Sequence, residues 1–371
     1  MAPFSLYDKT STFGGVYIVF LANRLQVLYL ILVLPAYLVH PFMIGAIIAI
    51  GICSHINLIM LSKWFSSDYS AMGYPGFVQL LGRRAVRLFA FAGLFLMFIK
   101  ITVSMLGYVE IIHQFLFPSM NTNWLILFIF LTGCYLASHG MEKAIRFVII
   151  AFLCTFWMFF IFIPFYTPPI AALSDLFPLI PTQWSMHSWK SLLFIWSSLS
   201  GSEYLICLSP WISPQPKMMK YLTLANAISV FEYLCLFVAS LFFYGSNYLS
   251  KSKFPVVNML RYLQSPVFER VDLIMICIDM FHLVLVISIF LLCFYGAARI
   301  AAQRLHAQTT RIGFITSCVT ILAGMMIIDQ WFWRSGTEQS IWFIIQIWLG
   351  AFTYLLVPAF LLIAVKRKGR V

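Results

Sequence analysis

The stretch 188–211, SWKSLLFIWSSLSGSEYLICLSPW, decides the fold. It is long and apolar enough to cross a bilayer, which takes about 20 residues. Yet its middle holds Ser197, Ser198, Ser200, Gly201, Ser202 and Glu203, with Pro210 behind them. A helix weakened at that depth frees backbone amides and carbonyls that hydrocarbon cannot satisfy, so the break must line protein or a water-filled cavity. A second segment, 14–38, GGVYIVFLANRLQVLYLILVLPAYL, repeats the pattern with Asn23, Arg24 and Gln26 in its middle and Pro35 further on. Two apolar segments interrupted at matching depth point to a binding site built from half-helix ends.

Working outward from these two, the apolar residues fall into ten stretches, about 14–38, 41–63, 85–117, 123–140, 143–164, 188–211, 221–245, 271–297, 312–333 and 340–364. The chain of 371 residues is 62% hydrophobic and 10% charged, against about 25% charged in soluble domains. A soluble enzyme is excluded. The reading is an all-α integral membrane protein forming one polytopic domain over 1–371. A split after the fifth span gives a first repeat of about 14–164 and a second of about 188–364. Because five is odd, the second half enters the membrane in the opposite sense, which makes a 5+5 inverted repeat. No HExxH motif or Gly-rich phosphate loop is present, and no catalytic domain is expected beside the spans, so neither enzymatic activity nor a cofactor is expected.

The formal charge of +12 does not indicate nucleic acid. Placing both termini in the cytoplasm puts Lys9, Lys63, Arg83, Arg84, Arg87, Lys143, Arg146, Arg299, Arg304, Lys366 and Arg367 on the inner side. Lys190, Lys251, Lys253, Arg261, Arg270 and Arg334 lie on the outer side, an asymmetry that follows the positive-inside rule. Trp124, Trp184, Trp189, Trp211, Trp331, Trp333 and Trp342 sit near span ends, where an indole suits the headgroup level. The eight cysteines are dispersed, with no CxxC pair and no histidine at ligand spacing, so neither a disulfide framework nor a metal site is expected. Of the two longer outer connections, 165–187 is Pro-rich, and 246–270 reads as a short amphipathic surface helix feeding the eighth span.

Ionisable groups inside spans are costly and face a cavity or a partner. Arg24 offers a bidentate fork to a carboxylate, or else pairs with Glu203 or another buried acid. Glu203 can receive an amine or a proton, or cap the amides at the break. Lys100 shares a helix face with Ser104 and Gly107, and its alternatives are ion pairs with Glu110, Glu232 or Asp279. Asp279 and His282, three apart, have proton-relay spacing and could equally form a quiet hydrogen-bonded pair. Asn23, Arg24, Gln26, Lys100, Ser104, Ser200, Gly201, Ser202, Glu203 and Asp279 are therefore the candidate ligand-binding residues. Glu203, Asp279 and His282 are the candidate proton relay, and Glu232 and Asp329 read as structural or interfacial.

The segment from about 136 to 300 resembles the spore germination permease family, the B subunits of spore germinant receptors within the amino acid–polyamine–organocation transporter superfamily. Matching residues are Gly140, Glu142 and Arg146 at the fifth span, Asp175 to Pro178 before the sixth, and Gly201, Glu203 and Pro210 within it. In the outer loop Phe254, Pro255, Arg261, Phe268, Glu269, Arg270 and Asp272 match in order. The family's first-span glycines are replaced by Val27, Leu28, Tyr29 and Leu30, its usual eighth-span Trp by Asp279, and a Lys by Val286. The resemblance implies a ten-helix fold of the leucine-transporter type, with ligand between the first, third, sixth and eighth helices. It also implies an A-type membrane subunit and a C-type lipoprotein subunit as partners, in the inner membrane of a spore-forming bacterium. The function implied is that of a receptor subunit binding a small nutrient such as an amino acid and triggering germination. Two alternatives stand beside it: an autonomous proton-coupled amino-acid permease, and a structural subunit whose ligand site has decayed.

Overall fold

The computed structural model describes residues 4–27, 30–168, 170–181, 185–213, 217–263, 269–305, 307–333 and 340–368. Leu28, Tyr29, Trp184, Phe268 and Arg334, singled out above, lie outside them. Twelve α-helices carry the architecture: α1 (Val16–Gln26), α2 (Leu30–Leu38), α3 (Met43–Phe65), α4 (Arg83–Phe115), α5 (Thr122–Ser138), α6 (Met141–Phe156), α7 (Met186–Ser198), α8 (Met218–Leu249), α9 (Pro255–Leu260), α10 (Val271–Ala301), α11 (Arg311–Ile328) and α12 (Ile341–Arg367). Among the described residues eight spans are long and apolar enough to cross a membrane, or nine when the bent pair α1–α2 is counted as one span. The tenth expected span is α5, whose 17 residues rise only about 26 Å at about 1.5 Å each. The count of ten rests on that short helix. At 33 residues, α4 is by contrast about 50 Å long and exceeds the roughly 30 Å hydrocarbon core, as its sequence predicts.

Both interrupted spans are broken where the polar residues fall. The axes of α1 and α2 meet at 52°, and α7 stops at Ser198 before the 3-10 segment Ser202–Trp211 begins. The two breaks touch. A Cβ on Gly201 would lie 2.1 Å from the Leu25 carbonyl oxygen and 2.6 Å from the Gln26 amide nitrogen, and Gly201 sits at φ 150°. Only glycine combines that backbone angle with that approach. The sixth span is also the most enclosed: 78% of its apolar window is buried, against 33% for α3 and α12.

Each end of the bundle is closed differently. At one end, residues 4–13 form a strap across the ends of four elements. The Leu6 carbonyl accepts from Met141 N at 2.9 Å, Tyr7 OH donates to the Leu292 carbonyl at 2.7 Å, and Trp211 Nε1 donates to the Asp8 carbonyl at 3.2 Å. Glu142 then gathers Thr10 N (3.1 Å), Thr10 Oγ1 (2.7 Å), Ser11 Oγ (2.6 Å) and Arg146 Nη2 (2.6 Å). Trp211 is thus a buried strap contact, not the membrane-interface anchor its position suggested, whereas Trp124, Trp189 and Trp331 are exposed.

At the other end, Tyr37 of α2 stacks on Phe194 of α7 at 4.5 Å and meets Phe343 of α12 at 5.4 Å. Here α9 corrects a second expectation. In place of an amphipathic surface helix, Val256, Val257, Met259 and Leu260 are fully buried, and α9 packs against α2, α8 and α10. The reason lies in its composition: apolar side chains leave the short helix on nearly every side, so it has no wide polar face to give to water. Arg270 fixes the return into α10, donating to Asp272 Oδ2 (2.7 Å) and to the Phe115 carbonyl (3.1 Å).

Two outcomes follow for protein purified in detergent. Gly201→Ala lowers unfolding stability by about 3 kcal/mol through overpacking and backbone strain, whereas Gly93→Ala, with open space around it, stays within about 1 kcal/mol of the parent; thermal melting separates the two. Glu142→Ala releases residues 4–13, seen as roughly tenfold faster limited proteolysis in that segment because the strap loses a charged acceptor.

Candidate functional site

Around the junction of the two breaks the interior is polar, and most of its groups are already engaged. Arg24 is buried and held by three hydrogen bonds. Its Nη2 donates to Glu232 Oε1, its Nη1 to Thr155 Oγ1 at 2.7 Å and its Nε to Asn23 Oδ1 at 2.8 Å, while the guanidinium stands 5.2 Å from the Phe152 ring centre. Asn23 Nδ2 donates to Glu232 Oε2 and to Ser229 Oγ, both at 2.9 Å. Both Glu232 oxygens are therefore occupied and the pair is internally neutral. The buried acid that holds Arg24 is Glu232 of α8, not Glu203.

Gln26 ties the breaks together. Its Nε2 donates to the Leu199 carbonyl at 3.0 Å, and its Oε1 accepts from Ser229 Oγ at 2.9 Å. The Tyr233 hydroxyl lies 3.1 Å from the Gln26 carbonyl and 3.0 Å from that of Ser198, so one donor serves both interrupted helices. Asn226 Nδ2 donates to the Gly51 carbonyl at 3.1 Å, and its Oδ1 accepts from Ser54 Oγ at 3.1 Å. Sequence reasoning did not single out Asn226, Ser229 or Tyr233. With Glu232 they recur along one face of an apolar span, and that periodicity was the available signal.

A second group has capacity to spare. Lys100 of α4 is buried, donates to Ser200 Oγ at 3.1 Å and lies 5.4 Å from the Tyr204 ring centre. An ammonium has three donors, and the partners weighed for it above are engaged elsewhere: Glu110 with Lys253 and with Trp333 Nε1 at 3.2 Å, Glu232 with Arg24. Glu203 Oε2 accepts from the Gly201 amide at 2.6 Å, and its Oε1 is only weakly approached by Thr353 Oγ1 at 3.4 Å. Ser104, one turn from Lys100, is buried and its hydroxyl has no partner among the described residues. Gly201 contributes its amide and Ser202 opens the 3-10 segment.

Asp279 and His282 of α10 form a third group. The Tyr108 hydroxyl, on the Lys100–Ser104 face of α4, donates to Asp279 Oδ2 at 2.6 Å. His282 Nε2 lies 2.7 Å from the Arg24 carbonyl, which can only accept, so Nε2 carries a proton. Its Nδ1 then faces Asp279 Oδ1 at 3.7 Å. At that separation the two groups are neighbours on one helix face, beyond hydrogen-bond range. Among the described residues no hydrogen bond or ion pair joins this pair to Glu203, and the three groups are brought near the breaks as separate clusters.

The comparisons with known proteins agree with this architecture. Residues 43–332 match the spore permease family model, described as spore germination protein. The Bacillus cereus spore germination protein GerQB is 25% identical over 238 residues, covering 56% of this chain and 65% of that protein, just under two thirds of its length. Among solved structures, MhsT in complex with L-phenylalanine superposes with a TM-score of 0.55 at 12% identity, over 97% of this chain and 99% of that chain, which shows a shared fold of the leucine-transporter type. The Eremococcus coleocola manganese transporter, in complex with an aromatic bis-isothiourea substituted compound, aligns with a TM-score of 0.43 at 13% identity over 98% of this chain and 82% of that one. The family match takes in the sixth-span break, the buried helix α9 and the ion-paired Arg270 and Asp272, and on it the chain belongs to the spore germination protein family of multi-pass membrane proteins.

Proposed function

We propose that the protein is the membrane subunit of a spore nutrient germinant receptor, and that it holds a small nutrient, an amino acid, where the two broken helices meet. One observation carries the reading. Lys100, Ser104 and Glu203 lie buried beside the breaks with donor and acceptor capacity unfilled, while Arg24 and Glu232 neutralise each other. An ammonium and a hydroxyl on one side and a carboxylate on the other suit a zwitterion, whose carboxylate is drawn to Lys100 and whose amine is drawn to Glu203. In this reading Asn23, Arg24 and Gln26 border the proposed site, and Ser200, Gly201 and Ser202 supply the backbone at the second break. Family membership and the relative GerQB support a germination role, and the neighbour MhsT, solved with L-phenylalanine, shares the fold. Binding biases an equilibrium between states through differential affinity. The proposed setting is the spore inner membrane, with both termini in the cytoplasm and A-type and C-type subunits as partners.

A second reading, a proton-coupled amino-acid permease, is favoured by the juxtaposition of two titratable side chains, Asp279 and His282, 3.7 Å apart. A ligand panel on purified protein gives Lys100→Met and Glu203→Gln at least about tenfold weaker binding, or about 1.4 kcal/mol, of the nutrient that stabilises the parent chain; unchanged affinity in both removes the site. Glu232→Ala instead lowers the melting temperature of ligand-free protein, by the equivalent of about 3–5 kcal/mol, because it strands a buried guanidinium. In proteoliposomes without partner subunits no accumulation is expected; proton-driven uptake abolished by Asp279→Asn would replace the receptor with the permease.

A further inference from the structure

The loop carrying Phe254, Pro255 and Arg261 is not used by the site above, and it builds a cleft of its own. Past the kink at Gly245 (φ 62°), the last turn of α8 projects Tyr248 and leads to Lys251. α9 then turns its apolar side chains inward and leaves Asn258, Arg261 and Tyr262 facing back toward α8. Between them lies a cavity of about 530 Å³. Lys251 and Arg261 both line it, and among the described residues neither is paired with a carboxylate: Glu110 is taken by Lys253 and Asp272 by Arg270. Lys251 stands 5.7 Å from the Tyr248 ring centre, and Arg261 stands 5.8 Å from that of Phe115. Asn258 Nδ2 donates to Ser252 Oγ at 3.1 Å, which ties the two walls together.

Two cations without counter-charges, set among hydroxyl and amide groups in one cavity, form an anion-binding environment. Tyr248 and Tyr262 are 69% and 71% exposed, as side chains at headgroup level are. We propose that this cleft, on the face expected to be outer, is an anion site that takes a phosphate or carboxylate group between Lys251 and Arg261. Arg261 follows directly on α9, and Lys251 follows α8. An anion held by both therefore clamps the lid helix to the span beside it.

Full-length protein in neutral detergent is dialysed against radiolabelled inorganic phosphate, and its melting is followed with short-chain phosphatidylglycerol or phosphatidylcholine. Saturable phosphate binding, or stabilisation by phosphatidylglycerol over phosphatidylcholine, is expected, weakened at least about tenfold in Lys251→Gln/Arg261→Gln. Phosphatidylglycerol acting at far lower concentration than phosphate identifies a lipid headgroup as the source; equal potency identifies a free anion, and both support the site. Lys251→Gln alone, an exposed change, gives a smaller loss in the same direction should the double variant not fold. Binding equal in parent and variants overturns the proposal. So does binding of an acidic peptide with no response to phosphate or phosphatidylglycerol, which would make the cleft a protein-docking surface.

Discussion

The structure depends on one close approach: the Leu25 carbonyl oxygen occupies the place where residue 201 would carry a Cβ. Two helices can be interrupted in the same membrane without meeting, and then each must satisfy its loose backbone groups alone. Here they meet backbone to backbone, and the groups freed by one break are served by side chains that also serve the other. Gln26 reaches from the first break to Leu199 in the second, and the Tyr233 hydroxyl lies against carbonyls of both. The breaks are therefore a single polar node, and its dimensions are set by the backbone and not by adaptable side chains.

The Arg24–Glu232 pair follows from that node. A buried ion pair seldom adds much net stability, because the desolvation of both charges offsets their attraction, but losing one partner is costly. Its value here is positional. With Asn23 bridging the carboxylate and Thr155 and Phe152 flanking the guanidinium, α1, α6 and α8 are held in one mutual setting. With both Glu232 oxygens occupied, this pair differs from Lys100 and Glu203, which keep bonding capacity beside the second break.

How much of this was legible in the sequence depended on the length scale of each signal. The broken spans could be read because polar residues at mid-membrane depth have few explanations, and the over-long third span follows from counting residues. Arg24 and Glu203 stood out as charges, but which acid held Arg24 did not, since Glu232 is 208 residues away and periodicity carries no information about partners across the fold. The polar face of Asn226, Ser229 and Tyr233 was visible as helical spacing yet was masked by the apolar composition around it. The α9 lid was misread because Lys253 and Arg261 flank it and lend a surface look to a helix whose own residues are almost all apolar. The strap of residues 4–13 had no periodic pattern, and its bonds run largely through backbone groups, which every sequence possesses.

The two closures are unlike in kind, and that difference bears on how the bundle opens. The lid end is shut by apolar packing, with Val256, Val257, Met259 and Leu260 fully buried and Tyr37, Phe194 and Phe343 in mutual contact. Opening it exposes hydrocarbon surface, at about 25 cal/mol for each Å². The strap end joins buried apolar side chains, Leu6 and Phe13, to a set of hydrogen bonds, three of them to Glu142 beside an Arg146 side chain that is 57% exposed. Water can replace such bonds at small net cost, since each contributes only about 1 kcal/mol when solvent competes for it. Separating either end therefore exposes apolar surface, and at the strap end it also breaks a charged, partly exposed hydrogen-bond cluster.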